Sequence, residues 1–256
     1  MPSRWTLRTI RATLSHLKDY SLSGVWRVLQ RYDLGLRSGR VQLYSPDAEY
    51  AVKVARLEAC LAEAARAPKT SAVVFLDEMG FYRWPDPAPT WAGQPPAPPP
   101  QAERAGTNNR QHRLIGVLNA VTGRVDYLDH YIVGSAKVIA MYERIAHVYA
   151  AYTHVYVAQD NWSIHHHDDV QSALKQWPHI EPLWLPTYAP WLNPIEKLWR
   201  WLRQDILKMH RLADDFTALQ QRVRAFLNQF ADGSQALLRY VGLLGDGRLA
   251  RALRLT

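Results

Sequence analysis

The sequence predicts an α/β fold: a mixed β-sheet flanked by helices, preceded by a small basic pair of N-terminal helices. Three observations lead there. Two short runs, SAVVFL and HVYVAQ, are apolar almost throughout, as suits strands buried on both faces, and each leads into an aspartate. Between them, HRLIGVLNAVTGRVDYLDHY alternates in polarity around Thr122-Gly123, the signal of a hairpin. Helical periodicities fill the spaces, giving the order strand, hairpin, helix, strand, helix, strand, helix.

Taken in order, residues 6–17 place Leu7, Ile10, Leu14 and Leu17 on one helical stripe. After KDYS, residues 22–32 place Leu22, Val25, Leu29 and Tyr32 on a second stripe, with Ser21 as its N-cap. The pair looks like a helix-turn-helix with Arg27 and Arg31 on the outer face of its second helix. A basic helical hairpin packed on a larger domain would give the same pattern. The glycines of DLGLRSGRVQLYSPD make it turn or extended chain, in the manner of a small wing. Residues 47–67, rich in Ala, Leu, Glu, Lys and Arg, read as a linking helix ended by Pro68. The proline-dense WPDPAPTWAGQPPAPPP reads as an irregular surface loop in which Trp84 and Trp91 could meet DNA or a partner. Helices are expected over 137–151, 167–177 and 193–209, and a short strand at IEPLWLP. The last 45 or so residues read as helical, with no chemistry of their own.

Of 256 residues, 48% are hydrophobic and 21% charged, an ordinary balance for a folded domain. There is no run of eighteen apolar residues and no signal-peptide core, so a cytoplasmic protein without membrane contact is expected. The lone Cys60 excludes an intramolecular disulfide and reads as a small apolar residue on a helix. The net charge of +8 is concentrated: Arg4, Arg8, Arg11, Lys18, Arg27, Arg31, Arg37 and Arg40 face only Asp19 and Asp33 in the first forty residues. That concentration favours a polyanionic partner, with Arg27, Arg31, Arg37 and Arg40 as candidate DNA contacts.

The chemistry rests on carboxylates. Asp77 and Asp160 each follow an apolar strand and precede a turn. If the strands are parallel neighbours, both side chains emerge at one edge of the sheet, where α/β folds place their sites. Such a pair repels unless a cation stands between, and oxygen ligands suit Mg²⁺ or Mn²⁺. Glu196 is the third candidate, at the edge of the apolar stripe Ile195, Leu198, Trp199, Leu202 and Ile206. It also fits a capping box, with Asn193 as N-cap and Pro194 at the first helical position, and that role competes with metal binding. Glu78 is a surrogate ligand whose side chain leaves the strand on the opposite face. His165, His166 and His167 are adjacent and point apart, so they do not make a zinc site. They read as a polar entry to the next helix, with Asp168 and Asp169 in its first turn.

Three blocks, FLDEMGF, YVAQDNWSIHHH and LPTYAPWLNPIEKLW, resemble the DDE transposases of bacterial insertion sequences in the mariner superfamily. The third is the most specific, and 35 residues separate Asp160 from Glu196, close to the family's spacing. The resemblance spans roughly residues 1–205 and implies an RNase H-like catalytic core. It further implies that Asp77, Asp160 and Glu196 are the catalytic, metal-binding triad for two Mg²⁺ or Mn²⁺ ions, with Asn161 and His165 as their neighbours. The implied activity is DNA strand cleavage and strand transfer; the implied partners are terminal inverted repeats, TA-containing target DNA and a second copy of the chain, in the nucleoid. The expected division is a helix-turn-helix over 1–45, a linker helix over 46–69, the RNase H-like catalytic domain over 70–210 and C-terminal helices over 211–256. Two features depart from the family: the chain would be N-terminally short of one DNA-binding module, and Thr90-Trp91-Ala92-Gly93 is tighter than the usual Trp-containing loop. The alternatives are a DNA-binding remnant without transposition activity and an RNase H-like nuclease that only hydrolyses.

Replacing both Arg27 and Arg31 by Ala is expected to weaken duplex binding and to flatten its logarithmic salt dependence by about two. Fluorescence anisotropy across a salt series checks this; an unchanged slope removes both residues from the DNA contact.

Overall fold

A computed structural model describes residues 4–37, 44–104 and 108–254. The chain divides into two compact units, Met1–Leu43 and Tyr44–Thr256. In the first, α1 (Leu7–Thr13) is opened by a capping box between Thr6 and Thr9, and α2 (Leu22–Arg31) by Ser21, whose hydroxyl accepts from the Gly24 N–H at 3.0 Å. The first helix is shorter than its apolar stripe predicts. Leu14 is extended, and Ser15–Leu17 form a separate 3₁₀ turn that turns Leu17 inward, so that Leu17 and Val25 are buried. Arg27, Arg31 and Arg37 are exposed, whereas Arg40 and the middle of the expected wing, residues 38–43, lie outside the described residues.

The second unit is built on a five-stranded sheet of order β3-β2-β1-β4-β5, formed by Val125–His130, Gln111–Asn119, Ser71–Tyr82, His154–Gln159 and Ile180–Trp184. The β1–β2–β3 part is antiparallel; β4 and β5 add to β1 in parallel. β1 is central and covered on both faces, which is why its apolar run does not alternate. Val73, Phe75, Met79 and Phe81 face one core, Ala72, Val74 and Leu76 the other. The hairpin turns at Gly123, whose φ of 71° and close approach to Ser234 leave no room for a Cβ.

The helix α3 (Tyr50–Arg66) presses Val54, Leu57, Cys60, Leu61 and Ala64 onto the first core. Glu63 at its end accepts from Ser71 and Tyr156, pinning it to β1 and β4. α4 (Ser135–Val148) and α5 (Asp168–Leu174) cover the second core. α6 (Ile195–Leu202) lies on the first, with α7 (Phe216–Asn228), α8 (Gln235–Val241) and α9 (Arg248–Leu253). The single long helix expected over 193–209 is instead α6 followed by a π-turn, Arg203–Leu207, and a left-handed Met209. No helix among the described residues is long and apolar enough to cross a membrane.

Leu57 is buried in the sheet's core. Leu57→Ala is therefore expected to cost about 2–5 kcal/mol in urea unfolding, where a solvent-bridging linker helix would lose little.

Candidate active site

The parallel pairing of β1 with β4 ends at Phe75 opposite Ala158, and two residues further on each strand carries an aspartate. Asp77 and Asp160 thus leave the sheet side by side. For Asp160 this is a strand end, as the sequence predicts; its Oδ1 accepts from the Trp162 N–H at 3.0 Å in a tight turn. For Asp77 it is not. β1 continues to Tyr82 because β2 stays paired with it, so Asp77 sits in mid-strand and no turn follows. What ends at Asp77 is only the β4 side of the ladder, and that opens the edge.

Asp77 shares a face with Phe75 and Met79, toward α6. There the Trp199 indole Nε1 donates to Asp77 Oδ2 at 3.0 Å. The ring fits because the residue opposite Asp77 on β2 is Gly116; a Cβ at that position would stand 2.8 Å from Trp199 Cη2. Sequence reasoning uses Trp199 only as part of an apolar stripe and passes over Gly116.

The capping box does not form. Asn193 is buried, and its Nδ2 donates to the Leu76 carbonyl at 3.2 Å, beside the point where β4 pairing stops. No side chain caps α6, and Glu196 is left free of that role. The helix start is thereby tied to β1 one residue before Asp77. Asp77, Asp160 and Glu196 line one cavity of about 590 Å³, with Asn161, Thr187, Tyr188 and Asn193 around them.

The acids bear on one another electrostatically. Burial pushes the Asp77 carboxyl up to about 7, with Glu196 and Asp160 adding repulsion. Glu196 is also raised, first by burial and then by Asp160, against the pull of Arg200 and Arg203. Glu78 points to the opposite face, as alternation predicts, and burial, then Asp77 and Asp160, push it to about 8. His165 lies between acids, its Nε2 3.4 Å from Glu78 Oε1 and 3.6 Å from Asp160 Oδ1. Burial lowers this ring to about 4, so it is neutral at pH 7. Asn161 donates to the Leu185 carbonyl at 3.0 Å and to Thr187 Oγ1 at 3.3 Å, clamping the loop that forms the cavity wall.

The other histidines part company. His166 stacks on Trp184 with ring centres 4.1 Å apart. His167 caps α5, its Nδ1 accepting from the Asp169 N–H at 3.2 Å, and Asp168 and Asp169 occupy the first turn. Arg27, Arg31 and Arg37 belong to the other unit.

Three carboxylates line one cavity, one of them made prone to protonation first by burial and then by its acidic neighbours, and hard oxygen donors of this kind suit a divalent cation. The buried Asn193 Oδ1 in the cavity wall also lacks a partner. Among the described residues, no three His, Cys, Asp or Glu side chains stand close enough to form a ready metal-ligand group.

The fold is that of RNase H-like transposases. Over 99% of this chain and 78% of the other, the structure superposes on the Mos1 transposase paired-end complex with the left transposon end, at TM-score 0.62 and 16% identity. The mariner Mos1 paired-end complex with Mg gives a TM-score of 0.63 over the same shares, also at 16% identity. Residues 72–220 match the DDE superfamily endonuclease family model, and the chain belongs to that family. An insertion element IS630 uncharacterized 39 kDa protein of Shigella sonnei is 29% identical over 134 residues, which are 51% of this chain and 39% of that protein.

Gly116→Ala is expected to destabilise the fold by about 1–3 kcal/mol, because the new Cβ meets the indole. In a Trp199→Phe background the same change should cost less. A double-mutant cycle by urea unfolding reads the coupling, and additive effects would break the link between Gly116 and Trp199.

Proposed function

We propose that this chain is the transposase of an insertion sequence, cutting DNA at the element's ends and joining those ends to target DNA. The observation that carries the proposal is the convergence of Asp77, Asp160 and Glu196 on one open cavity at the carboxyl end of parallel strands. Family membership and the likeness in fold support it.

In this reading the three carboxylates hold Mg²⁺ or Mn²⁺, two ions in all. Held there, such ions would supply activation of a water or a DNA 3′-hydroxyl and charge stabilisation at the departing oxygen. The chain's own part is placement. Trp199 fixes the orientation of Asp77 by its N–H bond. The Asn193–Leu76 bond fixes where Glu196 starts its helix relative to β1. Asn161 holds the wall opposite, and neutral His165 separates Asp160 from Glu78 without bringing a competing positive charge into the site. An open cleft suits a duplex end better than a small substrate, because the scissile phosphate must enter with its strand attached. The basic N-terminal unit, with exposed Arg27, Arg31 and Arg37, would bind the duplex of the terminal repeats, and Arg40 belongs to the same basic set. Target preference for TA would follow from the ease of kinking that step, and end pairing from a second copy of the chain.

The test is incubation of the full chain with Mg²⁺ and labelled duplexes bearing the element's terminal sequence. Joined products are expected, and Asp160→Asn or Glu196→Gln should lower their rate by about a thousandfold, the several kcal/mol that metal activation supplies. Nicks without joining would make the protein a hydrolytic nuclease. Binding with neither product, indifferent to Asp160→Asn, would leave only a DNA-binding remnant.

A further inference from the structure

A second cavity, of about 290 Å³, lies at the far end of α6, where the π-turn Arg203–Leu207 breaks the helix. Its walls carry Lys208, Arg211 and Arg222 against one acid, Asp205. Among the described residues none of the three cations is ion-paired, although Arg224, on the same helix as Arg222, holds Asp129 at 2.6 Å. Asp205 is already engaged, its Oδ2 accepting from Trp201 Nε1 at 2.7 Å. The cavity therefore carries unbalanced positive charge, a feature the fold does not use for its own stability.

A buried histidine adds a second, independent sign. His210 lines this cavity and is 6% exposed. Its Nδ1 accepts from the Leu212 N–H at 3.2 Å. Because Nδ1 accepts, the ring hydrogen sits on Nε2; burial first, then Arg222, lowers the ring's proton affinity. That Nε2–H has no partner. A buried donor left unsatisfied beside three cations is the complement of an oxyanion.

The backbone is held to this shape from outside. Met209 is left-handed at φ 51°, an unfavourable state for a side chain with a Cβ. It is kept there by its N–H bond to the Asp86 carbonyl at 3.0 Å, and Asp86 N–H donates in turn to the Leu207 carbonyl at 3.2 Å. Arg83 donates to the carbonyls of Ala213 and Asp214, bracing the other end of the turn.

We propose that this cavity binds a backbone phosphate of the DNA strand whose end lies in the catalytic cleft, gripped by Lys208, Arg211 and Arg222 with His210 Nε2 as a further donor. The proposal rests on the transposase reading for its ligand. The eleven steps from Glu196 to Leu207, through α6 and its π-turn, cover about 16 Å at the α-helical rise, roughly five nucleotide steps along a strand.

The experiment uses the full chain and a 50-base-pair duplex, with binding read by anisotropy over a series of KCl concentrations. Lys208→Ala combined with Arg222→Ala should lower affinity about tenfold and flatten the salt slope by about two. Both positions are exposed, so the fold should survive. Asp205→Asn, which keeps an acceptor for Trp201, should raise affinity roughly threefold by removing the one opposing charge; a gain cannot come from misfolding. A neutral methylphosphonate placed four to six nucleotides from the cut should weaken the parent protein and leave the double variant unaffected. An unchanged slope in the double variant, no gain with Asp205→Asn, or no duplex binding by the parent overturns the proposal. So does a titration with inorganic phosphate that shifts the His210 ring resonances while duplex binding ignores Lys208 and Arg222, which would make this a small-anion site. Asp160→Asn separates the two readings: cleavage that survives it sinks the catalytic proposal, while the salt slope still judges this cavity.

Discussion

The site hangs from the parallel pairing of β1 with β4. Because Phe75 stands opposite Ala158, Asp77 and Asp160 fall on neighbouring positions where β4 stops and β1 goes on. A slip of one residue would send one carboxylate to the other face, since side chains alternate along a strand. The register is fixed by burial on both faces of β1, so the two apolar cores are what hold the acids together. Half-burying Asp77 beside other acids is unfavourable, in keeping with its raised proton affinity. The unfavourable part falls on the site, and the stabilising part is spread over the cores.

Around that pair, the fold spends specific contacts on orientation. Gly116 gives the Trp199 ring its space, and the ring gives Asp77 a donor. Asn193, which by sequence would cap its helix, reaches back to β1 instead. A strand edge leaves a carbonyl without its ladder partner, and a buried carbonyl without a donor costs more than an uncapped helix start open to water. The exchange joins α6 to β1 and frees Glu196 for the cavity.

The wall of the cleft draws on distant chain segments. Thr187 donates its N–H to Asp47 and accepts from Ser45 at its carbonyl, and Trp191 donates to Tyr50. Together with Asn161, these bonds connect the start of α3 to the loop between β5 and α6. A segment that reads as a connector is in this way part of the cleft's frame. Tyr188, left-handed and largely exposed in that loop, is the strained residue at the cleft's mouth.

Much of this was legible in one dimension. The apolar runs, the Thr122-Gly123 turn, the helix stripes and the aspartates after SAVVFL and HVYVAQ prescribe a mixed α/β sheet and nominate Asp77, Asp160 and Glu196, because burial and side-chain period are local properties of the chain. Tertiary structure decided what depends on partners far along the sequence. It set the length of β1 beyond Asp77, since β2 and not β4 continues the ladder. It chose Asn193's bond to Leu76 over a cap, broke the long helix at Arg203, and sent His165, His166 and His167 to three different neighbours. Each of these is a competition between a local and a long-range partner for the same polar group or backbone turn, and the outcome depends on which partner packing brings within reach.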